Sequence, residues 1–227
     1  TVLRSEIRHT ISSVKIRTAI GPDRVRSEHL KNLPPVLVST LARLFTRYLS
    51  ECKVPTQWKT SKTVLLFKDN LHDIGNYRPI CLLSVVYKLF TRVILNRIDR
   101  ILNEGQPCEQ AGFRKGLSTM DQIHTITRLI EVSRKYKRPL CLTFIHLEKA
   151  FDSIEIEAVM EALGSQGVPT QYIKNLRELC KNFTTMISPF YNDINVDVKR
   201  GVRQGDTISP KLFTATLQNV MRTLESE

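Results

Sequence analysis

The residues from Leu140 to Asp152 read Leu-Cys-Leu-Thr-Phe-Ile-His-Leu-Glu-Lys-Ala-Phe-Asp, and they place His146, Glu148, Lys149 and Asp152 within seven positions. The apolar, β-branched run that follows Pro139 reads as a strand buried on both faces. A buried strand that ends in ionisable side chains delivers them to a site. A metal-dependent hydrolase built on Glu148 and Asp152 is one reading. The two lie at i and i+4, which share a face only in a helix, and no His or Cys ligand set stands near them.

Two more stretches carry chemistry. Lys199-Arg200-Gly201-Val202-Arg203-Gln204-Gly205-Asp206 is a basic, glycine-containing loop. Lys68 and Arg78 flank a polar turn between two apolar runs, and Arg114 lies in the turn Gln110-Ala111-Gly112-Phe113-Arg114-Lys115-Gly116. Basic residues at such tips either hold phosphates through charge-assisted bonds or form a solvated hairpin; the sequence leaves both open.

Composition narrows the partner. The chain has 227 residues, with 34 Lys and Arg against 22 Asp and Glu, a net charge of +12. A surplus of that size attracts polyanions, nucleic acid first among them. The five cysteines are scattered, with no C-x-x-C pair. This argues against a disulfide framework or a zinc knuckle and for a reducing, intracellular compartment, cytoplasmic or nuclear. The apolar stretch 80–98 is interrupted by Lys88 and Arg92, so no membrane partner is expected.

The elements that must position these residues follow from periodicity. Helices are predicted over 1–17, over 27–33, from Pro34-Pro35 through the Val36, Leu37, Leu41, Leu44, Phe45 and Leu49 stripe, and over 84–102. Ser118 and Asp121 form a capping box for a helix to about Tyr136, with Ile123, Ile126, Ile130 and Val132 facing inward. Asp152 and Ser153 are expected to cap a helix through Leu163 that ends at Gly164, and Pro169 to open another to about Phe183. Strands are expected at 62–68, 77–80 and 140–146, and a hairpin at 184–188 and 194–198. Ser209 and Pro210 start the last helix. The fold class is α+β, a small antiparallel sheet packed on helices.

Four blocks in fixed order resemble one family. They are Asn76-Tyr77-Arg78-Pro79-Ile80, Glu109-Gln110-Ala111-Gly112-Phe113-Arg114, Leu147-Glu148-Lys149-Ala150-Phe151-Asp152, and Arg203-Gln204-Gly205-Asp206 followed by Ser209-Pro210-Lys211-Leu212-Phe213. Together with Gly21-Pro22-Asp23 and the helix after Leu82-Leu83-Ser84, they resemble the fingers and palm of reverse transcriptases from non-LTR, LINE-type retrotransposons. The resemblance implies a right-hand polymerase fold. Residues 1–137 would form a fingers-like helical region with the basic strand-loop-strand, and residues 138–227 a partial palm.

It also implies an RNA-directed DNA polymerase that extends a DNA primer on an RNA template with deoxynucleotides. Family members use two Mg2+ ions held by carboxylates. Phe151 falls where the family has an aromatic residue that stacks under the sugar and excludes a 2′-hydroxyl. Arg203, Gln204 and Gly205 match the loop that contacts the nucleotide and templating base. Lys68, Arg78 and Arg114 are candidates for the triphosphate.

Two departures stand out. His146 occupies the place of the metal-binding Asp, and a neutral imidazole is a poor ligand for Mg2+, which takes hard anionic oxygen. No adjacent Asp-Asp pair occurs in the sequence, so the expectation is a truncated palm ending before that hairpin, without thumb or endonuclease. The chain alone is then expected not to polymerise, and His146→Asp alone not to restore activity. It is also expected to be poorly stable in isolation. The alternative is a basic nucleic-acid-binding module without catalysis, or a retroelement relic.

Overall fold

A computed structural model describes residues 1–67, 74–107, 110–114, 116–188 and 192–225. Lys68 lies outside the described residues, as do most of the turn that follows it and part of the turn expected between the last two strands.

Helix α4 (Val85–Gly105) is the axis of the core. Ser84 starts it by accepting a hydrogen bond from the Tyr87 amide at 3.3 Å, and its own hydroxyl donates to Asp23 Oδ2 at 2.6 Å. Leu89, Phe90, Val93, Ile94, Ile98 and Leu102 are buried along it. This run is apolar on more than one face because the helix is enclosed rather than laid on a surface. Around it pack α1 (Arg4–Ser12), α2 (Ser27–Lys31) and α3 (Pro35–Glu51). Pro35 opens α3 at a position whose N–H needs no partner. Phe45 of α3, Phe90 of α4 and Trp58 meet in one aromatic cluster, with ring centroids 5.1 Å apart for Phe45 and Phe90 and 5.3 Å for Trp58 and Phe90.

Four strands form one sheet in the order β2-β1-β3-β4: β1 (Thr60–Phe67), β2 (Tyr77–Leu82), β3 (Thr184–Ile187) and β4 (Ile194–Asp197). The hairpins β1–β2 and β3–β4 are antiparallel, but β1 and β3 run parallel, with Thr60 opposite Thr184 and Thr63 opposite Ile187. The sheet is therefore mixed, not purely antiparallel. More than a hundred residues of helix and loop separate the paired segments, ample for a parallel crossover. Hydroxyls seal this seam: Thr185 Oγ1 lies 2.6 Å from Thr63 Oγ1 and 2.8 Å from Ser61 Oγ.

The remaining helices are α5 (Thr119–Lys135), α6 (Ala150–Ser153), α7 (Ile156–Ser165), α8 (Thr170–Cys180) and α9 (Ser209–Glu225). The Ser118–Asp121 capping box is present, with Ser118 N–H donating to Asp121 Oδ2 at 2.7 Å.

Three further expectations are corrected. The strand over 140–146 is absent. Residues 138–147 have no regular structure, and Phe144 and Ile145 are 79% and 82% exposed. A strand exists by pairing, and no strand among the described residues lies beside this segment. The apolar stripe of α5 is not inward: none of its residues is buried, and Ile123, Ile126 and Val132 are exposed. Periodicity identifies the apolar face of a helix but does not supply a surface to cover it. Asp152 and Ser153 do not cap one helix through Leu163. The chain forms the single turn α6, then extends at Ile154 before α7 begins after Glu155. At the break, Ile154 O accepts from Gly201 N–H at 2.8 Å instead of serving a continuous helix.

Candidate nucleotide site

The loop between β4 and α9 carries Gly201 to Asp206, and it is fastened on two sides, by backbone bonds and by one side chain. On the α6 side, Val202 N–H donates to Phe151 O and Gly201 N–H to Ile154 O, both at 2.8 Å. Gly201 has φ +90°, and a Cβ there would fall 2.9 Å from the Cα of Asp152, so only glycine lets the loop lie this close. On the β2 side, Cys81 N–H donates to Gln204 O at 2.8 Å. Gly205, with φ +105°, presses against the same residue, where a Cβ would meet Cys81 O at 2.8 Å. The third fastening is by side chain: Gln204 Nε2 donates to Asp152 Oδ1 at 3.0 Å and Oδ2 at 3.1 Å.

Phe151 is held just as firmly. Its ring stacks on Phe213 of α9, with centroids 4.5 Å apart and planes 14° from parallel. Phe113 approaches edge-on at 5.8 Å. Phe151 thus borders the loop through its carbonyl, while Gln204 and Gly205 rest on Cys81 of β2.

Arg203 takes a different place. Its guanidinium is buried behind the loop, 3.7 Å from the Phe183 ring centroid and 5.0 Å from that of Tyr87. Nη2 donates to Leu179 O, while Nη1 has no partner. Burial opposes its charge, but Tyr87, Cys180 and Asp206 more than offset this and hold the guanidinium more firmly protonated than usual. Asp206 accepts from Tyr87 Oη at 2.5 Å and from Thr91 Oγ1 at 2.9 Å. Burial pushes the Tyr87 hydroxyl well above its ordinary pKa, with Arg203 opposing and Asp206 adding to the rise. Burial likewise raises the Cys180 thiol. A cavity of about 230 Å³ lies at this place, between Leu176, Phe183, Arg203 and Asp206.

Other expected site residues stand apart. Arg78 is exposed on β2 opposite Leu66, and Arg114 turns back to donate to Pro107 O at 2.9 Å. His146 is exposed in the irregular segment 138–147. Among the described residues, no group of three or more His, Cys, Asp or Glu is placed to hold a metal ion. No described helix is long and apolar enough to cross a membrane.

Sequence reasoning marks Asp152, as a helix cap or a hydrolase carboxylate, but not its bond to Gln204, and it passes over Phe213 and Tyr87 as site residues. Phe213 stands out only as part of a block. Tyr87 gives no signal beyond the apolar face of its helix, because its partner Asp206 is distant in sequence.

The chain belongs to the reverse transcriptase (RNA-dependent DNA polymerase) family, whose model matches residues 62–227. This is a family that uses divalent metal ions and acts on a nucleic-acid template and primer with nucleotides. Within it the chain resembles the polymerases of non-LTR retrotransposons. It is 30% identical over 219 residues to the probable RNA-directed DNA polymerase from transposon BS of Drosophila melanogaster, covering 92% of this chain and 24% of that protein. It is 24% identical over 219 residues to the RNA-directed DNA polymerase from mobile element jockey of the same fly, covering 94% and 24%. The Pol polyprotein of type-1 retrotransposable element R2 from Nasonia vitripennis is 26% identical over 212 residues, covering 92% and 20%. The chain thus spans 20% to 24% of the length of these relatives.

Proposed function

We propose that this chain is the fingers and part of the palm of a retrotransposon reverse transcriptase, and that it binds a deoxynucleotide over an RNA template and DNA primer. The observation that carries this reading is the loop holding Gln204 and Gly205, fastened both to the Phe151–Asp152 turn of α6 and to β2. Phe151 supplies a rigid aromatic surface under a sugar. Gly205 keeps the loop backbone open to close approach. Arg78, exposed on β2, together with Lys68 and Arg114, supplies cations for the triphosphate. Arg203 supports the loop from behind. Residues 1–137 act as fingers and 138–227 as palm, working within the cell, in cytoplasm or nucleus.

With an imidazole at residue 146 and no adjacent Asp pair in these 227 residues, the chain by itself binds and does not polymerise. The net charge of +12 favours such a binding module. The test is titration of an RNA–DNA primer-template with the purified 227-residue chain, with and without the complementary deoxynucleoside triphosphate. Expected are affinity that falls steeply with salt, tightening by the complementary nucleotide over a mismatched one, and no primer extension in Mg2+. Absence of binding at low salt would overturn the nucleic-acid reading. Extension above a mock preparation would overturn the claim that the chain does not polymerise.

A further inference from the structure

We infer that Asp152 is a positioning residue for Gln204: its carboxylate holds the side-chain amide in one orientation, so that Oε1, an acceptor, is what Gln204 offers to the nucleotide. The nucleotide group read by Gln204 must then be a hydrogen-bond donor, such as a sugar hydroxyl or a base N–H. This rests on the nucleotide-binding reading above only for what Oε1 meets; the orientation itself follows from the chain's own contacts.

An ionised carboxylate has no proton to give, so it accepts only. Gln204 Nε2 lies 3.0 Å from Asp152 Oδ1 and 3.1 Å from Oδ2. Turning the amide over would set Oε1 against two carboxylate oxygens at that distance, a repulsive contact. An amide that could otherwise sit either way is thereby given a fixed polarity. Among the described residues, no protein group donates to Oε1, and the side chain is only half-buried. The backbone on both sides of this bond is also fixed. Gln204 O is held by Cys81 N–H, and Asp152 N–H is held by Lys149 O at 2.8 Å. Gly201 lies against the Asp152 backbone, so α6 and the loop keep one distance. Asp152 caps neither α6 nor α7, since neither N-cap, Lys149 or Glu155, is a position it occupies.

The test is a cycle of variants in the 227-residue chain: Asp152→Asn, Gln204→Glu and the two together. Asparagine can face Gln204 with either its oxygen or its NH2, so Asp152→Asn leaves the polarity unset. Gln204→Glu sets two carboxylates against each other. In the double variant the asparagine NH2 donates to the introduced carboxylate, and an acceptor again faces outward. Affinity for the complementary deoxynucleoside triphosphate on a primer-template is expected to fall about tenfold in each single variant and to return to within about threefold in the double, the scale of one charge-assisted hydrogen bond. A purely structural role for Asp152 predicts that the double variant is at least as weak as either single one, and that result overturns the inference.

A second readout needs no nucleotide. In the wild type the Gln204 side-chain NH2 signals, assigned by their loss in Gln204→Glu, should be shifted downfield and slow to exchange. In Asp152→Ala they should move to free-amide positions while the thermal melt stays cooperative. Signals unchanged by Asp152→Ala overturn the inference. If the wild type binds no nucleotide but the signals move as expected, the fixed orientation stands and only the functional reading of the site falls.

Discussion

Phe151 and Phe213 stack almost parallel, 4.5 Å apart, although 62 positions separate them in the chain. The contact ties α6 to α9 and fixes the ring that is proposed to lie under the incoming sugar. An aromatic pair of this kind contributes roughly 0.5–1.5 kcal/mol beyond the area it buries.

Phe213→Ala should therefore loosen Phe151 without removing it. We predict that the preference for deoxynucleotides over ribonucleotides, measured as a ratio of affinities on a primer-template, shrinks in Phe213→Ala and shrinks further in Phe151→Ala. Phe213→Leu, which keeps the volume but not the flat face, should fall between wild type and Phe213→Ala. A ratio unchanged in Phe151→Ala would show that the ring packs and does not select.

The polar group behind the loop makes a prediction about stability. Asp206 accepts from the hydroxyls of Tyr87 and Thr91 in a buried setting. Tyr87→Phe removes one donor to a buried carboxylate, so the expected loss is about 1.5–3 kcal/mol. Asp206→Asn should cost at least as much, because its NH2 group would face a hydroxyl donor and Arg203 would lose a nearby negative charge. Urea midpoints at constant slope measure both. A neutral effect of Tyr87→Phe would mean that the hydroxyl is satisfied elsewhere.

Much of this architecture is legible in the sequence, and the failures share a cause. Helix α4 is visible because its caps and its apolar run are local. The hairpin β3–β4 is visible because two alternating runs flank a turn. The segment 140–146 has the composition of a buried strand and fails to form one, since composition records what a segment would do with neighbours it does not find here. The same holds for α5, whose apolar stripe is real and uncovered. In the site, Phe151, Gln204 and Gly205 are marked by motif. Arg203 is marked by the same motif, yet its guanidinium points into the core, because motif spacing fixes the backbone loop and not the direction of each side chain. Asp152 is visible but reads as part of its own helix; a hydrogen bond to a residue 52 positions away leaves no local trace.

The pair Glu6 and Arg97 predicts how stability depends on pH. Arg97 grips the carboxylate with two bonds, Nε to Oε1 at 2.6 Å and Nη2 to Oε2 at 2.8 Å, and so fastens α1 to α4. The hydrogen bond from Arg97 holds the Glu6 carboxyl below its usual pKa, against a smaller opposing effect of burial. Because the folded value is depressed, the stabilisation is in place above the unfolded-chain value of about 4.3 and is lost as pH falls through the folded value. Glu6→Gln should cost about 1.5–3 kcal/mol near neutral pH. The difference from wild type should narrow as pH drops from about 5 towards 3. A constant difference across that range would remove Glu6 from the account of acid sensitivity.

The loop glycines give the sharpest geometric prediction. Gly205 combines φ +105° with a backbone oxygen, Cys81 O, 2.8 Å from where a Cβ would stand. A side chain there is strained twice, by a φ that L-residues rarely adopt and by an atom that cannot swing aside, since Cys81 is fixed in β2 by its pairing with Thr63. Gly205→Ala should therefore cost more than the roughly 1 kcal/mol of a left-handed alanine alone, about 2–3 kcal/mol once the contact is counted. The relief available is for the loop to lift away from β2, which breaks the bond from Cys81 N–H to Gln204 O. Hydrogen exchange at the Cys81 amide should accordingly speed up in Gly205→Ala. In Gly201→Ala, whose clash is with the Asp152 backbone instead, exchange at the Gly201 and Val202 amides should respond first. Equal exchange at Cys81 in wild type and Gly205→Ala, with equal urea midpoints, would show that the loop does not rest on β2.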